Sequence, residues 1–289
     1  MLANASLDVA MHDLIVCMSI PLSIQGCTLK LPQRLSESQL AAFTVGLIDG
    51  DGCLQVNHWR KKSLQFRLAV CLSDKYLNYS MLYIISLKFG GYVRRVKKKK
   101  DEFVLWVIND KTVLKNSIIP LLEQYPPLTS RMRLQYYFFK KYMLESDVTS
   151  YLLERDLKYN NRDTIIPLFT FQSFPAYFSD WLAGFIEAEG CFCCRIKGNY
   201  SFTIALNHDS FVLESIREFY NLGHLSIGKR ISKLNGNPLY VFSIGSAEGT
   251  GRVIDHCKSL LQGYKYYQLA GFVINSKVFQ NRFKDFFFE

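Results

Sequence analysis

The chain has 289 residues, 49% of them hydrophobic and 15% aromatic, which is ample material for packed cores and excludes a disordered polypeptide. Thirty-five Lys and Arg against 25 Asp and Glu leave a net charge of +10, so a polyanion is the expected partner, whether nucleic acid or an anionic membrane surface. No run of about 18 uncharged apolar residues occurs, since the stretch from Leu14 to Ile24 is short and broken by Pro21; a spanning helix is excluded and a soluble protein expected.

Residues 1–36 match nothing else in the chain, lack the Arg-rich character of a transit peptide, and read as a loose N-terminal extension. From Ser36 to Asp51 the spacing predicts a helix that stops at Gly52, the residue type that ends helices. Period-two alternation follows, with Leu54, Val56, Leu64, Phe66 and Leu68 against Gln55, Asn57, Gln65 and Arg67; a sheet with one apolar face and one open polar face is expected. A further helix, two strands (LKFGGYVRR and FVLWVIND) and two helices complete a first unit over 37–146. The span 147–175 loses periodicity and reads as a partly helical linker.

The rest, 176–289, repeats the first unit in order though weakly in identity. FTVGLIDGDGCLQV (Phe43–Val56) returns as DWLAGFIEAEGCFCCRI (Asp180–Ile196), with Gly46 and Gly184 in register. LQFRLAVCLSDK is echoed by YSFTIALNHDS, and FVLWVIND with its helix by LYVFSIGS with AEGTGRVIDHCKSLLQ. Gly46 and Gly184 place minimal side chains on one face of each first helix, as close packing of two such helices about a pseudo-two-fold axis requires. Eight cysteines sit mostly in apolar runs of a chain too large to need disulfides, so a reducing compartment is expected. Cys191 and Cys194 have CxxC spacing but no second pair at zinc-ribbon distance, and read as small hydrophobes on a strand.

Each first helix runs out at an acid before glycine, Asp51 before Gly52 and Glu189 before Gly190. A helix C-terminus already presents negative charge, so a carboxylate there is unfavourable without a cation. The pair therefore points to a hard divalent metal such as Mg²⁺.

GLIDGDG (Gly46–Gly52) and LAGFIEAEG (Leu182–Gly190) resemble the two signature motifs of the LAGLIDADG homing endonucleases, in the form that carries both in one polypeptide. The first departs mildly, with Thr44 and Val45 where the family has Leu-Ala. The resemblance covers roughly residues 38–280 and implies an α+β fold of two pseudo-symmetric αββαββα repeats, with saddle-shaped antiparallel sheets over DNA and the motif helices paired at the interface. It implies Asp51 and Glu189 as metal ligands, helped by the carbonyls of Gly50 and Ala188, while Asp49 and Glu187 are structural. YPPLTSRMRLQYYFF (Tyr125–Phe139) and LQGYKYYQLAGF (Leu261–Phe272) supply the basic residues that the family places by the scissile phosphates, Arg131 and Lys265. Asp74 and His208 align with a polar residue near the same solvent network.

The function so implied is Mg²⁺-dependent double-strand cleavage of double-stranded DNA at a long, non-palindromic target by a monomer, intron-encoded and resident in a mitochondrion or, alternatively, a chloroplast. Base reading falls to Gln55, Asn57, Arg60, Gln65, Arg67, Arg94 and Arg95 in the first half, and to Arg195, Lys197, Asn199, Lys229, Arg230, Lys233 and Asn235 in the second, because Arg and Lys suit guanine edges while Asn and Gln suit adenine. Lys97 to Lys100 read as a backbone-gripping turn. The alternatives are an RNA maturase that binds its own intron RNA, and a DNA-binding regulator without catalysis. Retention of both Asp51 and Glu189 favours the nuclease, and no basic amphipathic helix supports a membrane partner.

Overall fold

The computed structural model describes residues 22–160, 162–164, 174–194, 200–231, 236 and 238–289. A small hairpin of β1 (Ser23–Ile24) and β2 (Cys27–Thr28) precedes the first half, which runs α1 (Glu37–Asp51), β3 (Gly52–Trp59), β4 (Ser63–Ser73), α2 (Tyr76–Phe89), β5 (Tyr92–Lys98), β6 (Asp101–Ile108), α3 (Lys111–Val113), a π-helical turn (Leu114–Ile118), α4 (Ile119–Gln124) and α5 (Ser130–Glu145). Between the halves lie α6 (Val148–Glu154) and a 3-10 turn (Arg162–Thr164). The second half comprises α7 (Phe178–Glu189), β7 (Gly190–Cys194), β8 (Tyr200–Asn207), α8 (Ser210–Phe219), β9 (Gly228–Ile231), β10 (Pro238–Ile244), α9 (Ala247–Cys257), α10 (Tyr264–Ile274) and α11 (Lys277–Phe287). Two four-stranded antiparallel sheets result, ordered β3-β4-β6-β5 and β7-β8-β10-β9, so the α+β architecture is duplicated strand for strand.

The helix α1 starts at a capping box in which Ser36 Oγ accepts from Gln39 N and Ser36 N donates to Gln39 Oε1. Every residue from Ala42 to Asp49 is buried, the pattern of a helix enclosed on all sides. Its partner is α7, and the backbones meet at the two glycines. A Cβ on Gly46 would lie 1.9 Å from the Trp181 carbonyl oxygen, and one on Gly184 would lie 1.9 Å from that of Phe43. The helices do not end in the left-handed cap that glycine suggests. Gly52 (φ −81°) and Gly190 (φ −71°) are extended and lead straight into strands, and glycine is needed because a Cβ would strike Ile48 or Ile186 one turn back. The π-helical turn falls immediately before Pro120, whose ring and missing N–H disrupt the regular α-helical ladder.

Strand alternation sorts the side chains as period two requires. Leu54, Phe66, Leu68, Val70, Val104 and Trp106 are buried against the helices, as are Phe202, Ile204, Phe242 and Ile244 in the second half. Cross-strand register puts Gln55 opposite Arg67, Asn57 opposite Gln65, and Arg94 opposite Leu105, so Gln55, Asn57, Gln65, Arg67 and Arg94 share the open face of the first sheet.

Part of the segment read as a loose extension is tied down. Leu29 is buried and bridges Phe288, Lys30 N donates to the Phe287 carbonyl and Glu289 N to that of Thr28, so residues 22–30 are stapled to the C-terminal end of the second half. Among the described residues no helix is long and apolar enough to cross a membrane.

Candidate active site

The two motif helices finish side by side. A Cβ on Gly50 would touch Ala188 Cβ at 2.3 Å and Glu189 Cγ at 3.3 Å, which measures how closely the α1 and α7 C-termini approach. Asp51 and Glu189 therefore face a common space from opposite halves. Asp51 is exposed toward the groove, yet the protein crowded around its carboxylate displaces part of its hydration. That desolvation, with repulsion from Glu189 added, lifts its pKa to about 7 in spite of Arg131 and Lys265 nearby. Glu189 is raised for the same first reason, against the pull of the same two cations. Two crowded carboxylates, with helix carbonyls beside them, form an all-oxygen donor set that a hard divalent cation fits. Among the described residues no cluster of three or more His, Cys, Asp or Glu could hold a metal unaided.

The sixth-position acids have a different job. Asp49 is buried and accepts from Leu128 N (2.5 Å), Thr129 N (3.2 Å), the Thr129 hydroxyl and Trp181 Nε1 (3.1 Å), so it anchors the entry to α5 and the capping residue Thr129. Glu187 accepts from Gly263 N (3.1 Å) and Lys265 N (2.9 Å), and anchors the start of α10 in the same way. Burial raises both acids, Asp49 to about 6, while these donors pull the other way. Each motif thus presents one acid to the groove and turns the next inward acid to the helix that carries the basic residue.

Those basic residues are not equivalent. The Arg131 guanidinium donates to the carbonyls of Asp49 (2.6 Å), Gly50 (2.8 Å) and Gly52 (2.8 Å), closing the C-terminus of α1. The Gly50 carbonyl, expected from the resemblance to help hold a metal, is thus already engaged by a cation. Lys265 makes no such side-chain hydrogen bond among the described residues, and the Ala188 carbonyl has no guanidinium counterpart.

Several expected base readers are placed elsewhere. Arg95 lies on the reverse face, paired with Asp74 (2.9 Å) and stacked over Tyr79. Asp74 is consequently engaged by Arg95, away from the solvent role expected of it. Lys229 is on the reverse face as well, over Tyr240, whereas Arg230 shares the open side with Leu239 and Asn207. Both miss for one reason: adjacent strand residues point to opposite faces, so two consecutive basic residues cannot both read one groove. Arg60 sits in the β3–β4 turn over Trp59, and Lys99 in the β5–β6 turn at φ 54°. Arg195, Lys197, Asn199, Lys233 and Asn235 lie outside the described residues. Cys191 and Cys194, exposed rather than buried, face opposite sides of β7; Cys191 Sγ instead lies 3.2 Å from Cys193 Sγ.

Residues the sequence did not single out complete the surface. Asn109 Oδ1 accepts from Arg67 Nε (2.7 Å) and its amide donates to the Tyr92 hydroxyl (3.3 Å), fixing Arg67 on the open face. His208 occupies a turn at φ 72°, and it is the neighbouring Asp209 that is buried and hydrogen-bonded. Asn78 plays a matching part in the first half. Their only sequence signal is a polar residue near the start of the helix that follows the second strand of each unit.

The sequence model of the LAGLIDADG endonuclease family matches residues 44–143 and 182–274, one repeat each. The chain belongs to the LAGLIDADG endonuclease family. A probable intron-encoded endonuclease aI3 of Dictyostelium citrinum is 39% identical over 192 residues, 66% of this chain and 78% of that protein. A protein of the same description from Debaryomyces hansenii is 36% identical over 264 residues, 80% of this chain but only 37% of the longer relative. The fold superposes on the LAGLIDADG homing endonuclease I-LtrWI bound to target DNA with a TM-score of 0.63, at 19% identity over 84% of this chain and 91% of that one. The LAGLIDADG meganuclease I-AabMI, bound to uncleaved DNA, gives 0.61 at 16% identity, covering 84% and 92%.

Proposed function

We propose that this LAGLIDADG chain is a site-specific homing endonuclease that makes a double-strand break in a long, non-palindromic DNA target, using divalent metal held between Asp51 and Glu189. The observation that carries the reading is the meeting of two raised carboxylates, one from each half, at the floor of a saddle whose first sheet presents Gln55, Asn57, Gln65, Arg67 and Arg94 together. A divalent cation held there would supply Lewis-acid activation of water and would neutralise charge at the phosphate. The chain's own residues do the rest. Asp51 and Glu189 provide the anionic pocket. Lys265, whose ammonium makes no hydrogen bond among the described residues, can reach a phosphate oxygen, whereas Arg131 holds the α1 terminus and lends a fixed positive charge. Amides and guanidinium groups on the sheet match adenine and guanine edges in the major groove.

Both acids reside in one polypeptide, which supports action as a monomer. The intron-encoded relatives from a slime mould and a yeast support an organellar intron, in a mitochondrion, as the source. The test is incubation with the chain's own intronless insertion-site DNA and Mg²⁺, with and without EDTA. Cleavage should require the metal and fall at least about 100-fold in Asp51→Asn and Glu189→Gln. Undiminished cutting by both variants would remove these acids from the mechanism, and preferential binding of intron RNA without cutting would favour the maturase.

A further inference from the structure

Each basic residue of the site stands at the second position of a helix, and that helix start is held from both halves at once. In α10, Glu187 of the same half takes the Gly263 and Lys265 amides, but the amide between them, Tyr264 N, donates to Asn78 Oδ1 of the opposite half (2.8 Å). Asn78 is 5% exposed, and its own amide group is fixed by donation to the Ser73 carbonyl (3.0 Å), which sets the oxygen toward Tyr264. In α5, Asp49 of the same half takes the Leu128 and Thr129 amides, while Ser130 N donates to Asp209 of the opposite half (3.1 Å). Asp209 is also 5% exposed, accepts the Ser130 hydroxyl, and is neutralised by Arg162 (3.2 Å), which in turn donates to Ser130 Oγ (2.8 Å). There is no slack at the crossing: a Cβ on Gly263 would lie 2.5 Å from Glu187 Oε1 and 2.8 Å from Asn78 Oδ1.

We propose that Asn78 and Asp209 are positioning residues that act across the two halves, Asn78 setting the Lys265 helix and Asp209 the Arg131 helix. The inference rests on the nuclease reading, and it makes a prediction that simple folding support does not. Loss of Asn78, a first-half residue, disables the basic residue of the second half, and loss of Asp209 the reverse. The two contacts also differ in kind. A neutral amide makes a single bond to the start of the Lys265 helix, whereas a carboxylate with a guanidinium partner holds the start of the Arg131 helix.

The experiment has two arms. In the first, insertion-site DNA labelled separately on each strand is nicked by wild type, Lys265→Met, Arg131→Met, Asn78→Ala and Asp209→Ala. Asn78→Ala should slow by about 10- to 100-fold the strand that Lys265→Met slows and leave the other within about threefold, because misplacing a reacting group by about 1 Å costs that much. Asp209→Ala should follow Arg131→Met. Asp209→Asn, which keeps an acceptor oxygen, should restore the affected strand, whereas Asn78→Asp, which loses the amide that holds the side chain on Ser73 O, should not. The second arm needs no activity: hydrogen exchange should show lost amide protection over 262–266 in Asn78→Ala and over 128–132 in Asp209→Ala. Equal slowing of both strands, or unchanged protection at those helix starts, would overturn the proposal. A wild-type chain that cuts neither strand would defeat the nuclease reading instead, and the exchange arm would still decide the cross-half contact.

Discussion

Asp51 and Asp49 are two residues apart in one helix turn and carry opposite obligations. Asp49 is surrounded by donors and holds a helix start, so its carboxylate is satisfied inside the protein. Asp51 faces Glu189 with no hydrogen-bond donor of its own among the described residues, and Arg131 and Lys265 nearby offset only part of the cost of its charge. The folded chain keeps the Asp51 proton up to about pH 7, where an unfolded chain releases it near the ordinary 3.8. The native state therefore binds more protons than the unfolded state in that window, and this contribution to stability falls as pH rises through it. In EDTA at pH 8, Asp51→Asn should consequently stabilise the protein, by roughly 1 kcal/mol once screening by groove water is allowed for, and the gain should vanish near pH 4. Urea unfolding at the two pH values reads this directly; destabilisation at pH 8 would mean that the carboxylate is already well compensated. A residue whose removal stabilises the fold while abolishing cleavage is kept for chemistry.

At the scale of elements, the pairing of α1 with α7 fixes everything at the site. The helices touch backbone to backbone at Gly46 and Gly184, and this contact alone decides that Asp51 and Glu189 emerge next to each other. Gly46→Ala would drive a methyl group into the Trp181 carbonyl, where no flexible side chain can yield. A loss of about 3 kcal/mol or more is expected in denaturant unfolding, against well under 1 kcal/mol for an exposed helix substitution such as Leu144→Ala. Unchanged stability in Gly46→Ala would show that the helices can separate, and with them the two acids.

Across the whole molecule, the net charge is +10, and the open face of the first sheet carries Arg67 and Arg94 while its β5–β6 hairpin carries Lys97 to Lys100. Binding should therefore be dominated by displaced counterions. Affinity for target DNA is expected to fall by about 1,000-fold between about 50 and 200 mM salt, in a straight line of log affinity against log salt. Arg67→Ala should weaken binding to the cognate site more than to an unrelated duplex, because Asn109 fixes that guanidinium on the open face. Lys98→Ala should weaken both alike. Gel-shift titrations on the two duplexes distinguish these outcomes; equal losses for Arg67→Ala would make it a phosphate contact.

The sequence by itself determined the duplication, the helix and strand order of each unit, the two acids before glycine and the glycines at the helix contact, because these follow from local periodicity and from residue types repeated at one spacing. The resemblance to the family, rather than local pattern, implied different parts for Asp51 and Glu189 and for Asp49 and Glu187. Only the tertiary structure decided which of two neighbouring basic residues faces the groove, as with Arg94 and Arg95, because register across strands sets that face and is a non-local property. Only it placed Arg131 on the carbonyls of α1, and tied residues 22–30 to the C-terminus. The contacts of Asn78 and Asp209 with the opposite half were likewise invisible, since each joins residues that no local pattern links: a polar side chain at a helix start looks the same in sequence whether it faces water or holds the other half of the molecule in place.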